Sequence, residues 1–274
     1  IILLGNHELP HIYDFPLAKP GITFTTSFER KIKGERAKYI EFFKRFSMAV
    51  RTKGGVLINH SGADSLTKSL DDLRQIDHDG ILAENRVRFE KFSPEMKEAF
   101  KGRIESTHGD LYEHLLVGYL AIDPDVDKER YDALMEGMCF KDMNPKGEWF
   151  WDMLMNKNES TYGSLYEKLL ERYLTLMSED GWPIKVVVTG HIDVSQGYEV
   201  LYDKQLRIGS SKGVEQDAKK RYLSFDVSVE YESATQLSQH LRYLYPELQK
   251  EEHEEEEKRV SYWQRLLSKI RGGL

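Results

Sequence analysis

Three short apolar segments of the sequence each end at a turn in which glycine accompanies histidine. The segments and their turns are residues 1–4 before Gly5-Asn6-His7-Glu8, residues 55–58 before Asn59-His60-Ser61-Gly62, and residues 184–188 before Thr189-Gly190-His191. Short apolar runs that are bounded by turn residues are typical of buried β-strands. We therefore expect a sheet whose strand ends carry nitrogen and oxygen donors.

The rest of the chain predicts a mixed architecture of class α/β (α+β). Apolar residues recur at helical spacing in residues 36–50, 66–73, 94–104, 111–122, 126–137, 164–177 and 237–244, and Asp64 is placed to cap the second of these helices. Strict alternation predicts a strand at 223–229, and a hairpin is expected at 198–208 with its turn at Asp203-Lys204. We divide the chain into a core of residues 1–83 and 184–246, a helical insertion or cap at 84–183, and a charged C-terminal helix at 247–274.

Composition excludes several classes of protein. The formal net charge is −7 and the sequence contains no basic stripe, so we do not expect a nucleic-acid partner. No apolar run approaches the ~20 residues of a membrane-spanning helix, so we expect no membrane partner. Cys139 is the single cysteine, which rules out an internal disulfide and favours a reducing compartment. We therefore predict a cytoplasmic protein.

The three turns contain donors that suit a metal-dependent hydrolase. Asn6 offers an amide oxygen, while His60 and His191 offer imidazole nitrogens. A dinuclear hydrolase needs nitrogen and oxygen ligands that converge from rigid strand ends, together with a proton donor for the leaving oxygen. Glycine near each ligand lets the backbone turn sharply and approach closely. The other histidines follow no comparable pattern and are interpreted as surface or core residues.

In their order along the chain, the turns Gly5-Asn6-His7-Glu8, Asn59-His60-Ser61-Gly62 and Gly190-His191 resemble three consecutive motifs of the calcineurin-like metallophosphoesterases. The nearest likeness is to the phosphoprotein (Ser/Thr) phosphatase branch, and it covers about ten positions. The resemblance implies a layered β-sandwich flanked by helices and a pair of metal ions, manganese, iron or zinc. It also implies that Asn6, His60 and His191 ligate one of these ions.

By the same resemblance, His7 is the general acid that protonates the leaving oxygen, and Glu8 orients a neighbouring group. The nucleophile is a water or hydroxide held between the metal ions, which attacks phosphorus in line. Asp193 stands where many non-phosphatase relatives have a further histidine ligand, and we interpret it as a turn residue. Residues 149–152 are similar to a stretch that precedes a phosphate-binding arginine, but Met153 follows them, so no substrate arginine is assigned.

Two earlier motifs of the family, D-x-H and G-D-x-x-D-R-G, do not occur in this sequence. They provide the other metal's ligands, the bridging aspartate and a phosphate-binding arginine. Three explanations remain open: an N-terminal segment that precedes Ile1, a second chain that completes the site, or a catalytically inactive half-site. We favour the first, because residues 1–4 read as a strand already in progress.

We therefore expect a metal-dependent phosphomonoesterase whose substrate is a phosphorylated protein or small molecule, with a protein serine/threonine phosphatase as the specific form. One alternative is a phosphodiesterase or dinucleoside-polyphosphate hydrolase that uses the same metals. Another is a noncatalytic half-site scaffold or binding protein, with the acidic C-terminal segment as its contact surface.

Overall fold

The computed structural model describes residues 1–15, 17–19, 22–23, 28, 31–32, 34–74, 76–109, 128–178, 181–209, 214 and 216–248, and all structural statements below concern these residues. The predicted helix at 111–122 lies outside them, as does the predicted charged helix at 247–274 apart from its first two residues. Within the described chain, no helix combines the length and the apolar character needed to cross a bilayer.

The described chain is mixed α/β, with helices concentrated before residue 178 and most of the sheet after it. The α-helices are α1 Leu9–Ile12, α2 Arg36–Phe43, α3 Asp71–Arg74, α4 His78–Glu90, α5 Pro94–His108, α6 Lys128–Met143, α7 Pro145–Met155, α8 Glu159–Tyr162, α9 Tyr166–Met177 and α10 Ala234–Ser238. The strands are β1 Ala18–Lys19, β2 Ile22–Thr23, β3 Ala49–Arg51, β4 Val56–Asn59, β5 Val186–Thr189, β6 Tyr198–Leu201, β7 Gln205–Ile208, β8 Arg221–Leu223 and β9 Leu241–Tyr243.

The chain divides into two compact units. The first comprises Ile1–Val50 and Asn59–Met177, and the second comprises Arg51–Ile58 and the chain from Ser178 onward. This boundary does not coincide with the predicted insertion at 84–183, because the segment before Val50 belongs to the same unit as the helices at 78–177. The division between core and insertion that the sequence suggested stays a prediction.

The first unit is built around aromatic side chains. Tyr13 stacks on Phe140 with ring centroids 4.1 Å apart, and Phe150, which is fully buried, lies 5.4 Å from Tyr13. Helices α6 and α7 approach closely at Gly147, where an added Cβ would lie 1.9 Å from the carbonyl oxygen of Phe140. The core therefore depends on both large rings and a residue without a side chain.

Residues 1–4 lie in the same unit and are extended. Leu3 forms an isolated parallel bridge with Ser47, and the Leu4 amide donates to the Ser47 carbonyl at 2.9 Å. The Ser47 amide in turn donates to the carbonyl of Ile2 at 2.9 Å. This pairing directs the chain into the Gly5 turn, although a single bridge is less than the strand that the sequence predicts.

The histidine at the start of α4 is buried in this aromatic core. His78 is 5% exposed, and its Nδ1 lies 2.8 Å from the Tyr13 hydroxyl. Burial, assisted by the nearby charge of Lys44, lowers the pKa of His78 from 6.5 to about 4. The side chain is therefore neutral in the folded protein at neutral pH.

Acidification is expected to destabilise the first unit through His78. Between pH 6.5 and 4 the unfolded chain binds a proton at this side chain while the folded chain does not, so stability falls as the pH falls. From pH 7 to 4.5 we expect wild type to lose about 2 kcal/mol more than His78→Gln, which does not titrate. Denaturant unfolding at several pH values measures this difference, and parallel pH profiles would contradict the assignment.

The second unit contains most of a five-stranded mixed sheet with strand order β3-β4-β5-β7-β6. Strand β5 is parallel to both neighbours, with Val56 opposite Val186 and Thr189 opposite Arg207. Strands β6 and β7 are antiparallel. All four residues of β5 are buried, as expected for a central strand covered on both faces. This arrangement confirms the predicted strands at 55–58 and 184–188.

The predicted hairpin is also confirmed, although its turn lies at Tyr202-Asp203, one residue before the predicted Asp203-Lys204. The Lys204 amide donates to the Leu201 carbonyl at 3.0 Å, and the two residues between them, Tyr202 and Asp203, have φ of 52° and 54°. Two consecutive residues of positive φ match the twist of the flanking strands. The Asp203 carbonyl and carboxylate then accept from the amides of Ala234 and Thr235, so the hairpin tip also anchors the start of α10.

The predicted helix at 36–50 ends at Phe43 and residues Ala49–Arg51 form strand β3, and three further sequence predictions in these units are wrong. The helix at 66–73 is limited to Asp71–Arg74, the strand at 223–229 ends at Leu223, and the helix at 237–244 is replaced by the short α10 and strand β9. At 66–73 the Asp64 carboxylate accepts hydrogen bonds from the amides of Leu66 and Thr67, which form a turn there. At 223–229 the Asp226 carboxylate accepts hydrogen bonds from the Ser228 amide and hydroxyl, which forms a turn.

Candidate active site

The turn after residues 1–4 is tied by its own glutamate. Glu8 Oε2 accepts a 3.0 Å hydrogen bond from the Gly5 amide, which fixes the entry to the turn. A Cβ added at Gly5 would lie 2.8 Å from Glu8 Oε2 and 3.2 Å from His60 Nδ1, so a larger residue here would displace the Glu8 carboxylate and crowd His60. Asn6 is half-buried and His7 is exposed at the tip. Glu8 thus orients a neighbouring backbone group.

Asn6 and His60 meet although they are 54 residues apart in sequence. Asn6 Oδ1 lies 3.0 Å from His60 Nε2, and the Asn6 amide donates to the same nitrogen at 3.3 Å. These contacts make opposite demands on Nε2, since the amide needs a lone pair there while Oδ1 needs a proton there. With a lone pair on Nε2, the Asn6 side chain meets it as a donor when the amide nitrogen occupies this position and as a second electron-rich atom when the oxygen does.

The separation of the two side-chain atoms can be compared with that of two ligands of one metal ion. Ligand atoms about 2.1 Å from one ion and at right angles to each other are themselves about 3.0 Å apart. The Asn6–His60 distance of 3.0 Å fits two adjacent positions of such a shell. An unprotonated Nε2 is also the form in which imidazole binds metals. The separation of Asn6 Oδ1 and His60 Nε2 is therefore compatible with two neighbouring ligand positions.

The turn that contains His60 is closed by hydrogen bonds from the side chain of Asn59, the preceding residue. Asn59, buried at the end of β4, accepts from the Gly62 amide at 3.0 Å and donates to the Gly62 carbonyl at 2.8 Å. Its amide nitrogen also donates to the Tyr173 hydroxyl at 3.1 Å. Gly62 has φ of 111°, a conformation that favours glycine. The Asn59 side chain thus holds both ends of the turn on either side of His60.

A buried carboxylate follows the same turn. Asp64 is fully buried and accepts from the Leu66 amide, the Thr67 amide and the Thr67 hydroxyl at 3.0, 2.6 and 2.8 Å. Burial, with a smaller contribution from the charge of Asp152, raises the pKa of Asp64 to about 6 against these bonds. Asp64 is therefore a structural acceptor for the turn, in place of the helix cap that its sequence position predicts.

Further polar residues hold the turn from the helices of the first unit. The Ser61 hydroxyl donates to the Met153 carbonyl, and the Ser65 amide and hydroxyl donate to Asp152 at 2.8 and 2.7 Å. Asn158 donates to the Ser61 carbonyl at 2.7 Å. The sequence analysis missed these supporting residues because their partners are 87 to 97 residues away. The similarity of residues 149–152 to a stretch that precedes a phosphate-binding arginine stays a prediction.

His191 follows β5 in the second unit and has an unusual backbone. Its φ is 64°, and the Ile192 amide donates across it to the Gly190 carbonyl at 2.7 Å. A three-residue turn closed in this way at positive φ is rare and strained. Strain of this kind concentrates at functional sites, where the surrounding structure holds it in place. Asp193, two residues on, is exposed.

Within the described ranges, no cluster of three or more histidine, cysteine, aspartate or glutamate side chains is arranged to hold a metal ion. Of the predicted ligands, the structure brings together Asn6 and His60 in the first unit, and His191 belongs to the second unit. His7, the predicted general acid, is the residue after Asn6. The structure therefore brings together two of the three predicted ligands. No family model, curated protein or solved structure matches this chain.

Proposed function

We propose that this chain contributes to a metal-dependent phosphomonoesterase, a calcineurin-like enzyme with two ions of manganese, iron or zinc. The observation that carries the proposal is the 3.0 Å approach of Asn6 Oδ1 to His60 Nε2, which suits two ligands of one ion. The three turns in the order of the family motifs, and the strained backbone at His191, support it further. A cytoplasmic location is part of the proposal.

Each motif residue has a distinct role in this proposal. Asn6 and His60 hold one ion through an amide oxygen and an imidazole nitrogen, with His191 as the third ligand from this chain. Asn59 and Glu8 fix the two turns, so that little reorganisation accompanies binding. When bound, the metal ions supply Lewis-acid activation of the phosphoryl group and of the attacking water. The family's other ligands belong to D-x-H and G-D-x-x-D-R-G motifs, which are not among residues 1–274.

His7 is the proton donor in this scheme. It is exposed directly beside the ligand Asn6, where its imidazole is accessible to a leaving oxygen. An imidazole titrates close to neutral pH, so a histidine can supply a proton there without extreme perturbation. Its removal should affect proton transfer and leave the ligand set intact.

The test is metal content by elemental mass spectrometry on the intact protein, together with hydrolysis of a phosphomonoester and a phosphodiester under the same conditions. We expect about two ions per molecule and preferential hydrolysis of the monoester. Preferential diester hydrolysis would favour the phosphodiesterase alternative. Absence of both bound metal and hydrolysis would favour the noncatalytic scaffold.

His7→Ala is expected to reduce kcat by about 10²–10⁴-fold, because general acid catalysis by a positioned side chain contributes that much. Metal content should remain at the wild-type level, since His7 is not among the proposed ligands. The reduction should be smaller for a substrate with a good leaving group, which needs little protonation. Equal reductions for good and poor leaving groups would rule out His7 as the general acid. His240→Gln, which removes an imidazole outside the motifs, is the matched control.

A further inference from the structure

One residue of the supporting helices has a backbone conformation that suits glycine. Asn158, immediately before α8, has φ of 53° and ψ of −114°. The residue that follows the same helix has nearly the same conformation, φ of 57° and ψ of −136°, and it is Gly163. Residues with a Cβ are strained in this region of the Ramachandran map. Asparagine at 158 therefore indicates that its side chain compensates for a cost that glycine would avoid.

The side chain of Asn158 is fully buried and hydrogen-bonded at both ends. Its Nδ2 donates to the Ser61 carbonyl at 2.7 Å and lies 3.3 Å from Asn156 Oδ1. Its Oδ1 accepts from the hydroxyl of Tyr166, another fully buried residue. Because the Ser61 carbonyl can only accept, it identifies the nitrogen end of the Asn158 amide, and Oδ1 is then directed at Tyr166.

A second asparagine, Asn156, contacts another carbonyl of the same turn. Asn156 Nδ2 lies 3.5 Å from the Ala63 carbonyl, and Asn156 Oδ1 accepts from the Asn158 amide at 2.9 Å. The pair thus contacts the backbone on both sides of Gly62. Since Gly62 has φ of 111° and no side chain, the local sequence does little to restrict this backbone. Its conformation depends on groups that hold its carbonyls.

We propose that Asn158 is a positioning residue for His60: by holding the Ser61 carbonyl, it fixes the turn that presents His60 Nε2 to Asn6 Oδ1. Groups that orient a metal-binding histidine without touching the metal commonly affect its affinity by about 10–100-fold. The prediction for metal affinity rests on the proposed function. The prediction for the orientation of the His60 ring is independent of it.

Asn158→Gly separates positioning from folding. Glycine adopts the observed backbone conformation without strain but lacks the amide that holds Ser61. We expect a melting temperature close to that of wild type and a changed ¹³Cε1 chemical shift of His60 in metal-free protein. The Kd for Mn²⁺, measured by titration of the intact protein, should rise about 10–100-fold. Asn158→Asp, which keeps an acceptor for Tyr166 but opposes a carboxylate to the Ser61 carbonyl, should weaken Mn²⁺ binding similarly.

Asn144→Ala provides the matched control. Asn144 is also buried in the first unit and also precedes a helix, but its contacts are with Asn85 and the Lys146 amide. Its replacement should lower the melting temperature while leaving the His60 shift and the Mn²⁺ affinity of the folded protein unchanged. This pattern is the reverse of that expected for Asn158→Gly.

An unchanged His60 shift in a folded Asn158→Gly protein would overturn the positioning role, whatever the enzyme activity. So would wild-type Mn²⁺ affinity in that variant when the wild-type protein binds Mn²⁺. If wild type binds no metal and hydrolyses no phosphoester, the proposed function fails, and the His60 shift still decides the role of Asn158. If Asn158→Gly fails to fold, the same measurement on Asn158→Asp decides, and a wild-type His60 shift in that variant overturns the proposal.

Discussion

His60→Ala is expected to lose both metal and hydrolysis while remaining folded. The imidazole supplies one of the two proposed ligand atoms, which lie 3.0 Å apart, and alanine offers no donor in its place. Replacing a group outside the ligand set already costs about 10–100-fold in metal affinity, so the loss of a ligand should exceed 100-fold. Isothermal titration with Mn²⁺ and a phosphomonoesterase assay measure the two effects.

The fold should tolerate this change because the turn does not depend on the imidazole. Asn59 closes the backbone of the turn, and Asp64 holds the residues that follow it. The melting temperature of His60→Ala should therefore stay close to that of wild type. His240→Gln should retain wild-type metal affinity and activity. A folded His60→Ala protein that keeps both metal and hydrolysis would exclude His60 from the site.

Phe150→Ala is expected to lower the free energy of unfolding by about 3–5 kcal/mol, the range found when a large buried ring is deleted. Phe150 is fully buried, and its ring lies 4.8 Å from that of Trp149 and 6.1 Å from that of His78. Close approach of α6 and α7 at Gly147 limits how far the surroundings can collapse into the cavity. Chemical denaturation of the two proteins measures the difference.

Trp151→Ala is the control for this change because it removes a larger ring from the same helix. The Trp151 side chain is 38% exposed, and it lies under the Lys141 ammonium at 5.2 Å. Surface substitutions usually change stability far less than core substitutions, so we expect a loss of about 1 kcal/mol or less. Equal losses for the two variants would show that Phe150 is not central to the core.

Sequence patterns predicted the elements whose determinants are local. The buried run ending at Thr189 and the hairpin turning at Tyr202-Asp203 combine apolar residues with turn residues next to them. Helix α5 begins at Pro94, after a Ser93 side chain that accepts from the Met96 amide. In such segments the residues that specify the element are the residues that form it.

The sequence predictions were wrong where a side chain accepts hydrogen bonds from backbone amides that a helix or strand would otherwise use. Alternation at 223–229 suggested a strand, but Asp226 captures the Ser228 amide, and Val227 is 55% exposed. The Val227 carbonyl instead accepts from the Gly54 amide. The Asp64 carboxylate similarly accepts from the amides of Leu66 and Thr67, at the start of the helix predicted at 66–73. Asparagine and aspartate compete with secondary structure in this way, and their spacing alone does not show the outcome.

The candidate site was predictable in its motif residues and not in its support. Asn6, His60 and His191 stand out because they follow apolar segments. Asn158 and Tyr173 carry no comparable signal, since each acts on a turn about a hundred residues earlier. Long-range polar contacts of this kind depend on the packing of the helices between them. They become visible only when the fold is known.

The boundary between the two compact units falls between Ile58 and Asn59, so strand β4 and the turn that follows it belong to different units. The groups that hold this turn, among them Asn158 and Tyr173, all belong to the first unit. Under the proposed function, substitutions in the helices therefore change how firmly His60 is held while the hydrogen bonds of the sheet stay the same.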